Sequence, residues 1–455
     1  MMGPMEAAPT GERARERAAA LAAAGVLLVA LTWVDNAGVT RVKAVPVERL
    51  EAAATWGVGM SPVFDVFVLD DSVTTSEYIG GPVGDLRLIP DLDRLTVLDA
   101  MPGWAWAPVD RWTQEGDRHP ACQRAFARAM TARAAEAGLE LRMAFEVEWF
   151  VGRDEGDGLV PGCRGPAYGM ARAVELSAYQ VALAGALAAQ EVPVDQLHPE
   201  YAPGQFELSV GPDDPVGAAD RLVLVKQTIR AVSAAHGLRV SFAPTVVAGV
   251  VGNGGHLHTS VWSGGANLLA GGDGPYGMTA RGEAVLATVL DRLPAFCAIG
   301  SPSVASYLRL VPQRWAGPYQ CWGRENREAG LRLVTGMRGS EATAANFELK
   351  CVDLSANPYL VTGAVAALAC AGVDTGARLP AEVTVDPATL PVAEQPPRLP
   401  QSLPEAVDRL EADRDLCAAM GPVLAAAFVA VRRAEADLLA GRSDDEVVAA
   451  TRWIH

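Results

Sequence analysis

The chain has 455 residues, of which half are hydrophobic and a fifth are charged. This composition is unlike that of a disordered chain and is sufficient for a large core. The formal net charge of −16 argues against nucleic acid as a partner, because phosphates require a basic surface. Seven scattered cysteines without a CxxC pair favour a reducing compartment, and we expect a cytoplasmic protein.

The N-terminal region combines a short apolar stretch with strand-like segments. The stretch covers residues 18–31, about 14 residues, whereas a bilayer needs about 20, so we predict a helical extension over residues 1–21 and no membrane anchor. The strand-like segments that follow are VLLVALTWVD, TRVKAV and DLRLIPD. We assign residues 22–112 to a small β-rich domain and residues 113–455 to a larger α+β domain.

The larger domain alternates helical and strand-like patterns. Helices are predicted near residues 120–138, 176–190, 216–236 and 282–295. Between and after them lie the strand candidates LRMAFEVEWFV, GQFELSVG, GGHLHTSVW and NFELKCVD. Beyond residue 356 the pattern is helical, except for a proline-rich loop over residues 390–404.

Each of these four strand candidates places polar, metal-competent groups on a single face, because side chains alternate along a strand. The faces carry Glu146 and Glu148; Gln205, Glu207 and Ser209; His256, His258 and Ser260; and Asn346, Glu348 and Lys350. One such face alone is more often a solvated surface. If all four converge, the carboxylates can stay ionised together only beside cations, which predicts Mg²⁺ or Mn²⁺.

Six segments between residues 145 and 360 resemble, in order, the signature blocks of the glutamine synthetase superfamily. They are FEVEWF, HPEYAPGQFELSVG, GNGGHLHTSVW, SPSVASYLRLVP, CWGRENREAGLRL and FELKCVDLSANPYL. The resemblance implies an N-terminal β-grasp domain and a catalytic domain with a curved antiparallel sheet flanked by helices. It also implies ATP, two or more divalent ions per active site, and a ring-shaped homo-oligomer, which we expect to be a dodecamer.

The resemblance assigns roles to individual residues by their positions in these blocks. Ligands of one metal would be Glu148, Glu200 and Glu207, and ligands of the second would be Glu146, His256 and Glu348. Substrate glutamate would be held by Gly252, Arg309 and Lys350, and the nucleotide by His258, Ser260, Arg327 and Arg332. Two metals and several arginines would neutralise charge on a transferred phosphoryl group, since the guanidinium fork pairs with its oxygens.

One departure from the family decides the predicted chemistry. Ammonia-using members have a glutamate six residues after the arginine of RLVP, where it closes the site and helps to deprotonate ammonium. Here that position, counted from Arg309, is Trp315. Tryptophan cannot accept a proton, although its ring face attracts cations or it could simply pack the flap shut. We count Arg309, Arg327 and Trp315 as candidate catalytic residues.

Further departures concern amine binding and regulation. The family's N-terminal ammonium-binding aspartate has no clean counterpart, because local similarity offers Ser61 and counting back from Asp85 offers Asp71. Lys350 and Asn346 both stand where the family usually has arginine. No tyrosine follows Tyr359, which excludes regulation by adenylylation of a C-terminal tyrosine.

The sequence therefore predicts the γ-glutamyl–amine ligase branch of the superfamily. We expect an ATP-dependent ligase that joins the γ-carboxylate of L-glutamate to an organic amine through a γ-glutamyl phosphate, without nucleic acid or membrane partners. A small mono-amine such as ethanolamine is favoured, followed by a polyamine, with an aromatic amine also open. The alternatives are an ammonia-dependent glutamine synthetase with a relocated base and a non-catalytic scaffold. The six filled metal-ligand positions weigh against the scaffold.

Overall fold

Two β-sheets organise the chain. The computed structural model describes residues 4–81, 83–155 and 158–455, and residues 1–3 of the predicted N-terminal extension lie outside this range. A six-stranded sheet lies in the N-terminal domain and a ten-stranded sheet in the larger domain. The predicted α+β class, with an N-terminal sheet domain and a catalytic domain of sheet and helices, is confirmed.

The N-terminal sheet contains a hairpin next to a parallel pair of strands. Its elements are α1 Pro4–Ala23, β1 Leu28–Val34, β2 Thr40–Pro46, α2 Leu50–Trp56, β3 Val58–Met60, β4 Leu86–Pro90, β5 Thr96–Val97 and β6 Trp104–Thr113. The strand order is β2-β1-β6-β4-β3, with β5 paired to β6. Strands β1 and β6 run parallel, and β6 was not among the strands predicted from the sequence.

Helix α1 belongs to the core of this domain. Ala14 and Leu21 are buried in the same apolar cluster as Leu31, Leu50 and Leu88 of the strands and α2. The described part of the predicted extension over residues 1–21 therefore packs into the N-terminal domain rather than standing apart from it. Its alanine-rich face is small enough to lie close against α2.

The larger domain is built around one sheet. Its elements are α3 Gln123–Glu136, β7 Glu140–Glu155, β8 Gly158–Pro161, α4 Met170–Glu175, α5 Ser177–Ala189, β9 Val194–Pro199, β10 Gln205–Val210, α6 Pro215–Ala235, β11 Arg239–Ser241, β12 Leu257–Ser263, β13 Ala266–Asn267, α7 Ala280–Gly300, α8 Ser306–Arg309, β14 Tyr319–Arg324, β15 Ala329–Val334, α9 Glu341–Ala344, β16 Asn346–Leu349, α10 Pro358–Gly372, α11 Leu403–Ala412, α12 Arg414–Met420, α13 Pro422–Leu438 and α14 Asp444–Thr451. The main strand order is β14-β15-β16-β12-β7-β10-β9. Strands β16, β12, β7 and β10, which carry the four polar faces, are thus consecutive neighbours.

Helices cover the apolar face of this sheet. Phe145 and Val147 of β7 are buried in the main core together with the nearly fully buried helix α10. The α10 cap also ties the two domains together, because the Asn357 amide donates to the carbonyls of Val34 and Asp35. Among the described residues no single helix is long and apolar enough to cross a membrane; α12 and α13 pass only as a pair, bent by 111°.

The segment between α10 and α11 is irregular over a longer range than the loop predicted for residues 390–404. The chain has no helix or strand between α10 and α11, apart from short 3₁₀ turns at Pro387–Thr389 and Val392–Glu394. This segment follows the edge strand β14, with backbone bonds from Val383 to Trp322 and from Gln320 to Pro397. An extended chain that covers an exposed edge explains why residues without strong helix or strand propensity are ordered there.

Candidate active site

The four polar strand faces meet around one cavity of about 550 Å³. In the sheet register Glu207 lies opposite Glu148, and His258 lies opposite Glu348. Most of the residues predicted from the sequence line this cavity. They are Glu146, Glu148, Glu200, Glu207, Gly252, His256, His258, Arg309, Trp315, Arg327, Arg332 and Lys350.

Two groups of candidate metal ligands lie at this cavity. In each group the ligand atoms are within 4.8 Å of one another. The groups are Glu146, His258 and Glu348, and His198, Glu200 and Glu207. Four of the six predicted ligands belong to these groups: Glu146 and Glu348 to the first, and Glu200 and Glu207 to the second.

His256, the predicted histidine ligand, lies beside the first group. Its Nδ1 is 3.3 Å from both Glu146 Oε2 and Glu348 Oε1. Burial and the charge of Lys350 lower the pKa of His256 to about 4, so the ring is neutral and can act as a ligand. For His258, hydrogen bonding to Glu146 and the charge of Glu348 outweigh burial and raise the pKa.

His198 is a candidate ligand that the sequence analysis did not single out. Its Nε2 lies 3.3 Å from Glu207 Oε1, directly across the β9–β10 register. The signal was present, since His198 precedes Glu200 by two residues and so shares its strand face. Glu148, predicted for this group, is held instead by the backbone N–H of Gly254 at 2.9 Å.

The carboxylates have strongly shifted pKa values. Burial and the charges of Glu146 and Glu148 raise the pKa of Glu207 to about 12. Burial also raises the pKa of Glu148 to about 7. Like-charged groups with little water between them cannot all ionise, and a divalent cation among them would remove that cost. Oxygen and imidazole donors in this arrangement fit Mg²⁺ or Mn²⁺.

Basic side chains also line the cavity, next to the carboxylates. Lys350 Nζ and Arg332 Nη1 donate to Glu348 at 2.9 and 3.0 Å. Arg309 is 4% exposed, and its Nη1 has no hydrogen-bond partner among the described residues. Arg327 also lines the cavity and is exposed. Guanidinium donors that remain available beside a carboxylate cluster suit phosphate or carboxylate ligands.

Ser260 lies outside the main cavity. It lines a neighbouring cavity of about 270 Å³, together with Asn346 and Thr343. The two cavities share Glu146 and His258 in their walls. Of the predicted nucleotide contacts, His258 therefore faces both cavities, whereas Ser260 faces only the smaller one.

Aromatic side chains form the rim of the main cavity. Trp315 is 44% exposed, so it does not pack into a core, and its ring centroid lies 5.2 Å from that of Tyr201. Tyr168 also lines the cavity, and burial together with the charge of Glu200 raises its pKa. A cationic ligand at this rim would meet ring faces above a carboxylate cluster.

The chain matches two family models along most of its length. Residues 10–116 match the glutamine synthetase N-terminal domain, and residues 120–448 match the glutamine synthetase catalytic domain. The chain belongs to the glutamine synthetase family. The predicted class, an ATP-dependent carbon–nitrogen ligase, is the class of this family.

Curated relatives cover nearly the whole chain. It is 56% identical to the γ-glutamylpolyamine synthetase GlnA3 of Streptomyces coelicolor over 449 residues, which is 97% of this chain and 96% of the relative. It is 28% identical to the glutamine synthetase of Halobacterium salinarum, covering 91% and 90% of the two chains. The first relative belongs to the predicted γ-glutamyl–amine ligase branch.

Solved structures of the glutamine synthetase family have the same fold. A crystal structure described as a novel glutamine synthase homolog has a TM-score of 0.84 at 31% identity, covering 94% of this chain and 99% of the other. A GmaS complex with ADP has a TM-score of 0.83 at 28% identity, covering 94% and 97%. The whole chain, including both domains, therefore follows the family architecture.

The two candidates for the family's N-terminal aspartate lie away from the cavity of their own chain. The Ser61 hydroxyl caps a short turn by accepting from the Val63 N–H. The Asp71 side chain is 68% exposed and pairs with Arg41 at 2.6 Å. Neither residue lines the cavity within this chain. A role for Asp71 in amine binding stays a prediction.

Two positioning residues were assigned no role in the sequence analysis. Gln205 Nε2 donates to Glu148 Oε2 at 3.0 Å and to the Gly252 carbonyl at 2.9 Å. A Cβ on Gly254 would lie 2.3 Å from His256 Nε2, so only glycine lets this loop pass the glutamates. The sequence placed Gln205 on the strand face of Glu207, but its contact with the Gly252 loop depends on the fold.

Proposed function

We propose that the protein joins the γ-carboxylate of L-glutamate to a polyamine with consumption of ATP. The observation that carries this proposal is Trp315 in the place of the family's flap glutamate, in a chain 56% identical to a γ-glutamylpolyamine synthetase. The aromatic rim beside Glu200 and Glu207 supports a cationic acceptor. Product, acceptor and cofactors are inferences from these features.

The proposed chemistry has two steps. A γ-carboxylate oxygen of glutamate attacks the γ-phosphorus of ATP, and ADP leaves with the electrons of the broken P–O bond. The neutral amine then attacks the acyl carbon, phosphate leaves, and the nitrogen loses a proton. Two divalent ions, if bound by the carboxylate groups, would supply charge neutralisation. Arg309 would hold glutamate, while Arg327 and Arg332 would face the transferred phosphoryl group.

An ammonia-dependent enzyme with a relocated base has little support at this cavity. The carboxylates that line it are Glu146, Glu148, Glu200 and Glu207, all within the proposed metal groups or next to them. Glu328 is the acid nearest to the flap backbone, but both of its oxygens accept backbone N–H groups. No other described carboxylate replaces the flap glutamate in the lining.

The acceptor, the assembly and the location remain part of the proposal. Ethanolamine, the amine favoured from the sequence, has no support from the named relatives, whereas the polyamine does. The cavity volume of about 550 Å³ can hold a longer chain than ethanolamine. We propose a ring-shaped homo-oligomer, expected to be a dodecamer, in the cytoplasm, with two or more Mg²⁺ or Mn²⁺ ions per site.

An amine panel tests the function. Phosphate release and product mass are measured with ATP, glutamate, Mg²⁺ or Mn²⁺, and each of ammonium, ethanolamine, putrescine, spermidine and benzylamine. We expect kcat/KM for spermidine or putrescine to exceed that for ammonium by about tenfold or more. Equal turnover with ammonium would support the relocated base, the best turnover with ethanolamine would support the mono-amine, and no turnover would support the scaffold.

A matched pair of variants checks that activity arises at this cavity. Glu348→Ala removes a residue that contacts His256, Lys350 and Arg332, and should abolish phosphate release. The control, Glu140→Ala, changes a residue of β7 whose side chain is 58% exposed and pairs with Arg142. This control should retain activity. Near-normal activity of Glu348→Ala would contradict the assigned metal site.

A further inference from the structure

The loop that carries Trp315 has an unusual backbone. Gln313 and Trp315 have φ values of 60° and 54°, in the left-handed region that side chains other than glycine rarely adopt. Such backbone conformations are strained and persist only when their surroundings hold them. Two of them within three residues therefore require a specific support.

One carboxylate provides that support. Glu328 Oε2 accepts the N–H of Gln313 at 3.0 Å, and Oε1 accepts the N–H of Trp315 at 2.7 Å. Glu328 is only 7% exposed and directly precedes β15, an interior strand of the sheet. Its own N–H donates to Asn326 Oδ1 at 3.1 Å. The carboxylate is thus anchored on the rigid part of the domain, with both oxygens directed to the loop.

Other contacts fix the same loop from different sides. Arg314 Nη2 donates to the Gly249 carbonyl at 2.7 Å, and Gln313 Nε2 donates to Asp386 Oδ2 at 3.2 Å. These two bonds are exposed and use flexible side chains, whereas Glu328 holds the backbone itself. The Glu328 contacts therefore fix the backbone from which the Trp315 ring extends to the cavity rim.

We propose that Glu328 is a positioning residue for amine selection, which holds the Trp315 ring at the cavity rim by clamping the loop backbone. This rests on the proposed function, since selection matters only if an amine is the acceptor. Glu328 does not line the cavity and has no contact with the candidate metal ligands. Its effect on an amine therefore passes through the clamped loop, whose Arg314 and Trp315 line the cavity and whose Trp315 ring meets Tyr201 at the rim.

The test uses Glu328→Ala, Glu328→Gln and a control. Glu328→Gln keeps the shape but replaces one acceptor oxygen by a donor, which one of the two N–H groups would oppose. The control is Glu382→Gln, whose carboxylate also accepts a backbone N–H, that of Arg324, but away from the cavity. Steady-state kinetics are measured for spermidine, ammonium, glutamate and ATP, and trypsin cleavage after Arg314 is followed by mass spectrometry under native conditions.

The expected result separates positioning from general structure. Both Glu328 variants should raise KM for spermidine and lower the spermidine-to-ammonium ratio of kcat/KM by about tenfold, with KM for ATP nearly unchanged. Cleavage after Arg314 should become about tenfold faster, since the loop opens more often. The control should behave as the natural protein in all of these measurements.

Three outcomes would overturn the inference. Faster cleavage with an unchanged amine ratio would show that the clamp does not act in selection. Unchanged cleavage and unchanged kinetics in a folded Glu328→Ala would show that no clamp exists. If Glu328→Ala does not fold, the amine ratio and the cleavage rate of the milder Glu328→Gln are used in its place. Inactivity of the natural protein with every amine would contradict the proposed function and the selection role, while the cleavage rates would still decide whether the clamp exists.

Discussion

At the residue scale, the site is an arrangement that folding alone would not favour. Glu207 faces Glu148 across two neighbouring strands, a pairing of like charges that destabilises a sheet. Burial and the neighbouring carboxylates raise the pKa of Glu207 to about 12, because a further negative charge is unfavourable there in the absence of a cation. A group of acids that costs stability and surrounds a cavity indicates a binding function.

Replacing Trp315 tests its place in amine selection. Trp315→Glu restores the carboxylate of ammonia-using members, so the ratio of kcat/KM for ammonium to that for spermidine should rise by about tenfold, as 1.4 kcal/mol would produce. Trp315→Phe keeps an aromatic face and should keep the preference for the organic amine. The amine panel measures both variants. An unchanged amine profile in Trp315→Glu would leave the tryptophan a merely structural role.

At the element scale, helix α13 joins parts of the chain that are distant in sequence. Arg432 Nη2 donates to the Asn36 carbonyl, and Nη1 donates to that of Pro302. Its neutralising partner on the same helix is Glu435, at 2.8 Å and 2% exposed. The anchor therefore depends on a buried ion pair, for which burial opposes ionisation.

The buried Glu435 predicts a pH dependence of stability. Burial raises the pKa of Glu435 to about 7, whereas an unfolded glutamate has its ordinary value. Between about pH 4.3 and 7 the folded chain binds more protons at Glu435 than the unfolded chain does. The contribution of Glu435 to the free energy of unfolding therefore falls as pH rises through this window and is smallest above pH 7. The contribution lost across this window is about 4 kcal/mol at most.

Urea unfolding at a fixed protein concentration between pH 5 and 7.5 measures this contribution. In Glu435→Gln the decline of the free energy of unfolding with pH should be shallower than in the natural protein. Glu16→Gln, which changes an exposed glutamate of α1, serves as the control and should leave the slope unchanged. Identical slopes in Glu435→Gln and the natural protein would contradict the buried-pair account.

At the scale of the whole molecule, the sequence predicted the parts that depend on local pattern. Period-two alternation placed Glu146, Glu207, His258 and Glu348 on strand faces, and the sheet brings these faces together. Contacts between distant segments were not predictable in this way. In the sequence Glu328 is one charged residue in a turn. Only the fold shows that its two carboxylate oxygens accept the N–H groups of the Trp315 loop.

The boundaries show the same division between local and long-range information. The proline-rich composition predicted a loop over residues 390–404, but the irregular segment is longer because it covers the edge of β14. Helix α1 likewise joined the N-terminal core through contacts with α2 that its own sequence does not encode. The ring-shaped assembly stays a prediction from the family resemblance.

Isotope transfer tests most directly the central claim that ATP activates glutamate at this cavity for attack by an amine. Glutamate labelled with ¹⁸O in its γ-carboxylate is incubated with ATP, Mg²⁺ and spermidine, and the released phosphate and the amide product are analysed by mass spectrometry. Activation of glutamate by ATP predicts one ¹⁸O atom in each phosphate and one in each γ-glutamylspermidine molecule, with neither product formed by Glu348→Ala. Unlabelled phosphate released together with γ-glutamylspermidine would contradict it.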